Sequence, residues 1–215
     1  MCAARNLRAL PTVRRHLASV DSTNTYAKTH AAQFDAGAVT VVTTDEQTAG
    51  RGRKVVVKPD EAAAGALKTV ERTWHSAPTG RDVTATFAFL VPPAALPTAY
   101  QLSPLIALVT RRVLRAHGID CLIKWPNDLL LGGRRKFAGI LCELEAVSGG
   151  AHWAALGIGI NVNSSAEDLG AVVGARPVWP LTTLRSETGR EHDVAGLTDA
   201  LVDAFADVRG CDREA

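Results

Sequence analysis

Apolar and polar residues recur along this chain with two periods, and the period assigns the elements. Residues 39–44, VTVVTT, are a β-branched run that suits a buried strand. Residues 83–91, VTATFAFLV, read as a strand with apolar residues on both faces, and residues 13–20 as a first strand with a basic outer face. Residues 153–162, WAALGIGINV, suit a strand in which Gly157 and Gly159 strip side chains from one face, a mark of close approach by a ligand or another backbone. Residues 121–145, CLIKWPNDLLLGGRRKFAGILCELE, break into three strands. The first covers residues 121–125, and Pro126-Asn127-Asp128 interrupts it. A short strand at 129–131 and a longer one at 137–145 are joined by Gly132-Gly133, whose glycines suit the positive φ of a hairpin turn.

Helical spacing is as clear. Asp21-Ser22-Thr23-Asn24 opens a helix with Ser22 as its cap, and Tyr26, Ala27, His30, Ala31 and Phe34 share one face. Ser103 as cap and Pro104 in the first turn start a second helix. Leu105, Leu108, Val109 and Val113 give it an apolar stripe and Gly118 ends it. Residues 181–188 suit a helical turn or two. Leu197, Leu201, Ala204, Phe205 and Val208 mark a final amphipathic helix. Residues 54–73 are ambiguous: 55–57 extend a strand, and 61–70 read as a short helix weakened by Gly65. Residues 74–80 are read as a turn, and residues 92–97 and 164–180 as loops.

Composition narrows the class. The chain has 215 residues, is 47% hydrophobic and carries a formal charge of +2, which suits one globular domain and does not call for nucleic acid as a partner. No apolar run approaches a membrane span in length. Cys2, Cys121, Cys142 and Cys211 lack CxxC spacing; Cys121 and Cys142 fall in apolar strands and read as buried free thiols in a reducing compartment. The six histidines show no paired ligand spacing. The first 20 residues hold Arg5, Arg8, Arg14 and Arg15 and no acid. A cytoplasmic protein is expected, with a mitochondrial address as the alternative reading of that start.

The candidate chemistry lies where polar residues crowd strands that otherwise look buried. Lys124, Asn127, Asp128, Arg134, Arg135 and Lys136 surround the 121–145 hairpin. Cations and amides at strand ends are what an anion-holding site on rigid elements requires. Residues 45–53, DEQTAGRGR, form a glycine-punctuated loop with Arg51 and Arg53. It lacks the GK[ST] ending of a P-loop, so a Walker-type NTPase is excluded on pattern. Gly50 and Gly52 let the backbone approach a ligand, and arginine forks onto phosphate or carboxylate. Ser22 to Asn24 are either helix capping alone or polar ligand contacts at a helix start, and sequence order leaves both open. Trp74 is either core packing or a platform for a flat ligand.

Four segments in this order resemble the catalytic domain of biotin–protein ligases. They are Ser22-Thr23-Asn24; Gln47-Thr48-Ala49-Gly50-Arg51-Gly52-Arg53; Lys124-Trp125-Pro126-Asn127-Asp128 with Arg135-Lys136-Phe137-Ala138-Gly139-Ile140-Leu141; and Gly157-Ile158-Gly159-Ile160-Asn161. The match covers about residues 13–208, and KWPND followed by KxxGIL carries most of its specificity. The resemblance implies an α+β fold: a central mixed, largely antiparallel sheet flanked by helices, as in class II synthetase-like ligases. It implies ATP and Mg²⁺ as cofactors, biotin as substrate, and a biotin carboxyl carrier domain of a carboxylase as protein partner, with no membrane and a monomer or weak homodimer.

The resemblance also implies roles. Ser22, Thr23 and Gln47, with the Gly50–Gly52 backbone, hold the biotin head group, and Asn24 is a further binding residue. Arg51 and Arg53 sit in the loop that closes over biotin and the adenylate. Lys136 contacts the reacting carboxylate and α-phosphate. Asn127 and Asp128 lie at the magnesium and phosphate region, and Lys124 is a further binding residue. Asn161 faces the nucleotide, Trp74 packs on adenine, Gly139, Gly157 and Gly159 keep a ligand channel open, and Ile140 is a further binding residue. Arg53, Lys136 and Asp128 are the expected catalytic residues. This chain departs from the pattern after Arg53: Lys54-Val55 stand where the family has another glycine, and residues 54–73 read as an inserted surface segment before Trp74. A small C-terminal β-domain and an N-terminal DNA-binding domain are expected to be absent. Two rival readings remain: a lipoate or octanoate ligase or transferase on the same fold, whose arginine- and glycine-rich signature is missing here, and a non-catalytic biotin-binding relative.

Overall fold

In the computed structural model, residues 10–57, 68–74, 80–132, 134–170 and 180–208 are described. A seven-stranded sheet runs in the order β1-β2-β5-β9-β8-β7-β6. Its strands are β1 (Thr12–Val20), β2 (Val39–Gln47), β5 (Val83–Val91), β6 (Leu122–Lys124), β7 (Asp128–Leu131), β8 (Arg135–Ala146) and β9 (His152–Ile160). Among the described strands β1 and β2 pair in parallel and the other strand pairings are antiparallel, so the expected mixed sheet is present. The remaining strands, β3 (Arg51–Val57) and β4 (Lys68–Thr73), make a separate two-stranded ribbon.

The two faces of the sheet differ because successive strand residues point to opposite sides. One face takes Val41, Val83, Ala85, Phe87, Phe89, Ile140, Leu156, Ile158 and Ile160 into the main core. Helices α2 (Leu102–Ala116) and α5 (Val194–Val208) contribute to that core, and Phe205 of α5 meets Phe87 with ring centroids 4.3 Å apart. The other face carries α1 (Thr23–Thr29) over a smaller apolar cluster of Ala27, Ala31, Phe34, Val42, Ala88, Trp153 and Ala155. Two short helices, α3 (Ala166–Gly170) and α4 (Leu184–Thr188), complete the described residues. Among these residues no helix is long and apolar enough to cross a membrane.

Several expectations need correction. The residues expected as a loop, 45–53, are mostly strand: β2 continues to Gln47, and Arg51 and Arg53 stand on β3. Of the helix expected over 61–70, residues 61–67 lie outside the described residues and 68–70 are in β4, whose β-branched residues pair with those of β3. Helix α2 starts at Leu102 on a 3-10 turn (Pro93–Gln101), so Ser103 lies inside the helix and does not cap it. Its buried stripe is Leu102, Ile106, Val109 and Val113, whereas Leu108 is exposed. In the β7–β8 turn the left-handed residue among those described is Arg134, at φ 69°; Gly132 is small because the Glu187 carboxylate approaches it. Ser22 does cap α1, accepting from the Thr25 amide at 3.4 Å, but α1 ends at Thr29 and a 3-10 turn (Ala31–Gln33) carries the stripe on to Phe34. Cys121 is a buried free thiol and Cys142 a half-buried one; burial pushes them up to about 11 and about 12, so both stay protonated. Residues 1–9, 75–79, 171–179 and 209–215, with Cys2 and Cys211, lie outside the described residues.

Candidate active site

Antiparallel register builds the floor of the site. Asp128 on β7 stands opposite Gly139 on β8, Gly139 opposite Gly159 on β9, and Gly159 opposite Thr84 on β5. The next row toward α1 is Leu141, Gly157 and Thr86. Segments far apart in sequence thus place a carboxylate, three glycines and two threonines on the face that the main core does not use. KWPND, KxxGIL and GxGxN meet here because β7, β8 and β9 are neighbours. Ile140, expected as a binding residue, alternates with Gly139, and its side chain belongs to the main core. Its backbone does serve the site: Asn127 Nδ2 donates to the Ile140 carbonyl at 2.9 Å, and the Ile140 amide donates to the Asn127 carbonyl at 2.9 Å.

At one end of the floor Asp128 is held between two lysines. Lys136 Nζ lies 2.7 Å from Asp128 Oδ1 and Lys124 Nζ 3.2 Å from Asp128 Oδ2, while the carboxylate is buried. Burial pushes its pKa up, but the two ammonium groups outweigh that and hold the carboxyl below the ordinary range. Both carboxylate oxygens therefore already face a positive charge. Asn127 offers one buried oxygen, Oδ1, with no partner among the described residues. One amide oxygen beside a doubly paired carboxylate does not make a protein-built magnesium cage; these are the oxygens that Asn127 and Asp128 offer to an ion arriving with a nucleotide's phosphates.

At the other end α1 is bolted to the sheet. Thr23 donates to Gln47 Oε1 from its amide at 2.8 Å and from its hydroxyl at 3.1 Å. Thr86 Oγ1 lies 2.8 Å from Thr23 Oγ1 and 2.7 Å from Asn24 Oδ1. Asn24 Nδ2 reaches the carbonyls of Leu141 at 3.2 Å and Ala155 at 3.3 Å, and Glu143 Oε2 at 3.0 Å. A Cβ on Gly157 would overlap the Asn24 amide, so this glycine makes room for Asn24. Asn161, expected to face the nucleotide, is buried, and its Nδ2 donates to the Thr182 carbonyl at 3.1 Å.

Trp74 returns to the site despite the 20 residues between it and Arg53. Strands β3 and β4 pair antiparallel with Arg51 opposite Thr73, and the Trp74 amide donates to the Gly50 carbonyl at 2.9 Å. Gly50 must lack a side chain here, since a Cβ would overlap the Trp74 carbonyl. The ribbon thus closes on itself at its base. The indole rests on the floor: a Cβ on Gly159 would overlap the ring, and one on Gly139 would sit 3.4 Å from Trp74 Cζ3 and 3.2 Å from Lys136 Nζ. The glycines expected to keep a channel open are covered, Gly139 and Gly159 by Trp74 and Gly157 by Asn24, because these side chains fold into the space the glycines leave. The indole Nε1 is buried with no hydrogen-bond partner among the described residues.

Arg53 is half-buried on β3. Arg51 Nη1 lies 3.2 Å from Glu143 Oε1, which also accepts from Lys28 Nζ at 2.7 Å. Lys28, Arg51, Lys124 and Lys136 thus surround two carboxylates, Asp128 and Glu143, leaving an excess of positive charge suited to anionic ligands. Ser22 is buried as the cap of α1, and Gly52 lies on β3. Sequence reasoning missed Thr84, Thr86, Lys28 and Glu143. The threonines were signalled by the alternation of VTATFAFLV, in which each sits between apolar residues of the opposite face.

A model of the biotin/lipoate A/B protein ligase family matches residues 17–161. The chain is 36% identical over 199 residues to the biotin–[acetyl-CoA-carboxylase] ligase of Paracoccus denitrificans, covering 88% of this chain and 70% of that protein. It is 36% identical over 167 residues to the bifunctional ligase/repressor BirA of Bacillus subtilis, covering 77% of this chain but 44% of that protein. The chain therefore spans less than half the length of the Bacillus repressors it matches. Biotin protein ligase from Aquifex aeolicus, solved in complex with biotin and ATP, superposes with a TM-score of 0.63 at 25% identity, covering 92% of this chain and 70% of that one. The chain belongs to the biotin/lipoate A/B protein ligase family.

Proposed function

We propose that this family member is the catalytic domain of an ATP-dependent biotin–protein ligase. It joins biotin to AMP and passes the biotinyl group to a lysine of a carboxylase carrier domain. The observation that carries this reading is the cross-strand row Asp128–Gly139–Gly159–Thr84, with Lys136 beside it and the Thr23–Gln47–Thr86 cluster one row away. A side-chain-free floor accepts a flat ring system. Hydroxyls and an amide at one end suit a polar head group, and ammonium groups at the other suit a carboxylate and phosphates.

The chemistry requires two anions to meet. A biotin carboxylate oxygen attacks the α-phosphorus of ATP, pyrophosphate leaves, and a mixed anhydride forms. Two unit charges about 4 Å apart repel by about 4 kcal/mol at an effective dielectric of roughly 20. Lys136 and Arg53 offset that repulsion and stabilise the charge that develops on the leaving group. Asp128 is a positioning residue: it holds Lys124 and Lys136 at the floor. The carrier lysine amine then attacks the acyl carbon, AMP leaves, and the covering ribbon keeps water from the anhydride in the meantime. Because the Trp74 indole rests on the floor, the substrate ring takes the indole's place and Trp74 swings to its outer side. Magnesium reaches such a site with the nucleotide, and no step here depends on a protein-held ion.

ATP–pyrophosphate exchange with biotin, and with lipoate as the control, tests this reading. Exchange that depends on biotin is expected. Exchange with lipoate alone moves the chain to the lipoate branch of the family, and biotin binding without exchange makes it a binding protein.

A further inference from the structure

Glu143 lies outside every motif that pointed to the site, yet three segments converge on it. It sits on β8 opposite Ala155, on the same face as Gly139 and two residues beyond Leu141. Its carboxylate is largely covered, with a side-chain exposure of 18%. Oε1 is 2.7 Å from Lys28 Nζ of α1 and 3.2 Å from Arg51 Nη1 at the start of β3. Oε2 accepts from Asn24 Nδ2 at 3.0 Å. Burial pushes the carboxyl pKa up, and the Lys28 and Asn24 hydrogen bonds with the Arg51 charge pull it below the ordinary range, so the group is ionised at neutral pH.

The arrangement is more than a surface ion pair. A sheet residue is a rigid anchor, whereas Arg51 stands at the base of a two-stranded ribbon that is not part of the main sheet. Two-stranded ribbons hold a shape poorly without such an anchor. Lys28 supplies a second positive charge, so one full charge does not have to leave the carboxylate for Arg51 to turn toward a ligand anion. Asn24 links the same carboxylate to the carbonyls of Leu141 and Ala155.

We infer that Glu143 is a positioning residue for ligation: it holds the Arg51 guanidinium, and with it the base of the β3–β4 ribbon, over the floor of the site. This rests on the ligase reading above. Glu143→Gln keeps the shape and an oxygen for Asn24 while removing the charge that pairs with Arg51. It should lower kcat/KM for biotin-dependent pyrophosphate exchange by about 10- to 100-fold, as a misplaced ligand-ordering group does. If Glu143 acts through Arg51, the double variant Glu143→Gln/Arg51→Gln loses no more than Arg51→Gln alone. Additive losses, or an unchanged or raised rate in Glu143→Gln, would overturn the inference.

Amide hydrogen exchange over residues 50–53 separates this from failure of the ligase reading. If the unsubstituted chain shows no biotin-dependent exchange of pyrophosphate, that reading fails by itself. The positioning claim still requires faster amide exchange at residues 50–53 in Glu143→Gln. Faster exchange spread equally over α1 and β8 would make Glu143 a general structural group and overturn the claim.

Discussion

The two faces of one sheet teach different lessons. On β9, Ala154, Leu156, Ile158 and Ile160 enter the main core, while Ala155, Gly157 and Gly159 face α1 and the indole of Trp74. On β5, Phe87 and Phe89 point one way and Thr84 and Thr86 the other. The same backbone is thus an apolar wall on one side and a polar, glycine-floored surface on the other. The first side supplies stability through close packing. The second gives up packing, and the groups that remain there are donors, acceptors and charges aimed at one place.

Substitutions on alternate residues should separate these roles. The largest effect on stability is expected from Ile158→Ala, which opens a cavity in the main core and should cost about 2–5 kcal/mol in urea or guanidinium unfolding. Its effect on biotin affinity, measured at a temperature where it stays folded, should be small. A loss below about 1 kcal/mol would mean the core face relaxes more easily than its packing suggests. Lys136→Ala should act on the chemistry, slowing single-turnover adenylation by on the order of 10²-fold; because it also leaves buried Asp128 with one ammonium partner, the rate is read at a temperature where the variant stays folded. Near-normal rates in that variant would remove Lys136 from the chemistry.

Thr86→Val is a finer probe, because it keeps shape and removes the hydroxyl shared by Thr23 and Asn24. About 1 kcal/mol of stability should be lost, with a several-fold weaker hold on biotin. An unchanged affinity would show that the α1 bolt does not touch the ligand. The smallest effect concerns acid. The folded pKa of Asp128 is depressed, so its contribution to stability is present above the unfolded value of about 4 and is lost as pH falls through the folded one. Unfolding free energy should therefore drop below about pH 4, and less steeply in Asp128→Asn. Equal slopes would mean the Lys124–Asp128–Lys136 cluster does not contribute.

Most of the sheet was legible from sequence because period-2 alternation and β-branched runs are local signals. The 83–91 strand was read to the residue, and the 137–145 strand fell short only by the ends that pair with β7 and β9. The motifs pointed to the correct neighbourhood. What remained hidden depends on register and on distance in the fold. Asn24 and Asn161 resemble ligand-facing amides in sequence, yet both are held by backbone carbonyls. Glu143 became visible only once Arg51 and Lys28 were brought to it. The ribbon was the least legible part: a Gly-Arg stretch reads as a loop, and only the pairing of Arg51 with Thr73 shows how Trp74 regains the site.

Biotin affinity of Gly159→Val, compared with the unsubstituted chain by calorimetry and matched to their unfolding midpoints, tests the central claim most directly. Valine at this position fills the floor beneath the indole, on the face away from the core. If the substrate lies on the glycine floor, the unsubstituted chain binds biotin, and the variant stays folded with binding lost or weakened by at least about 1.4 kcal/mol, a factor of about ten. If the folded variant binds biotin as tightly as the unsubstituted chain, the substrate lies elsewhere and the account of this face is wrong.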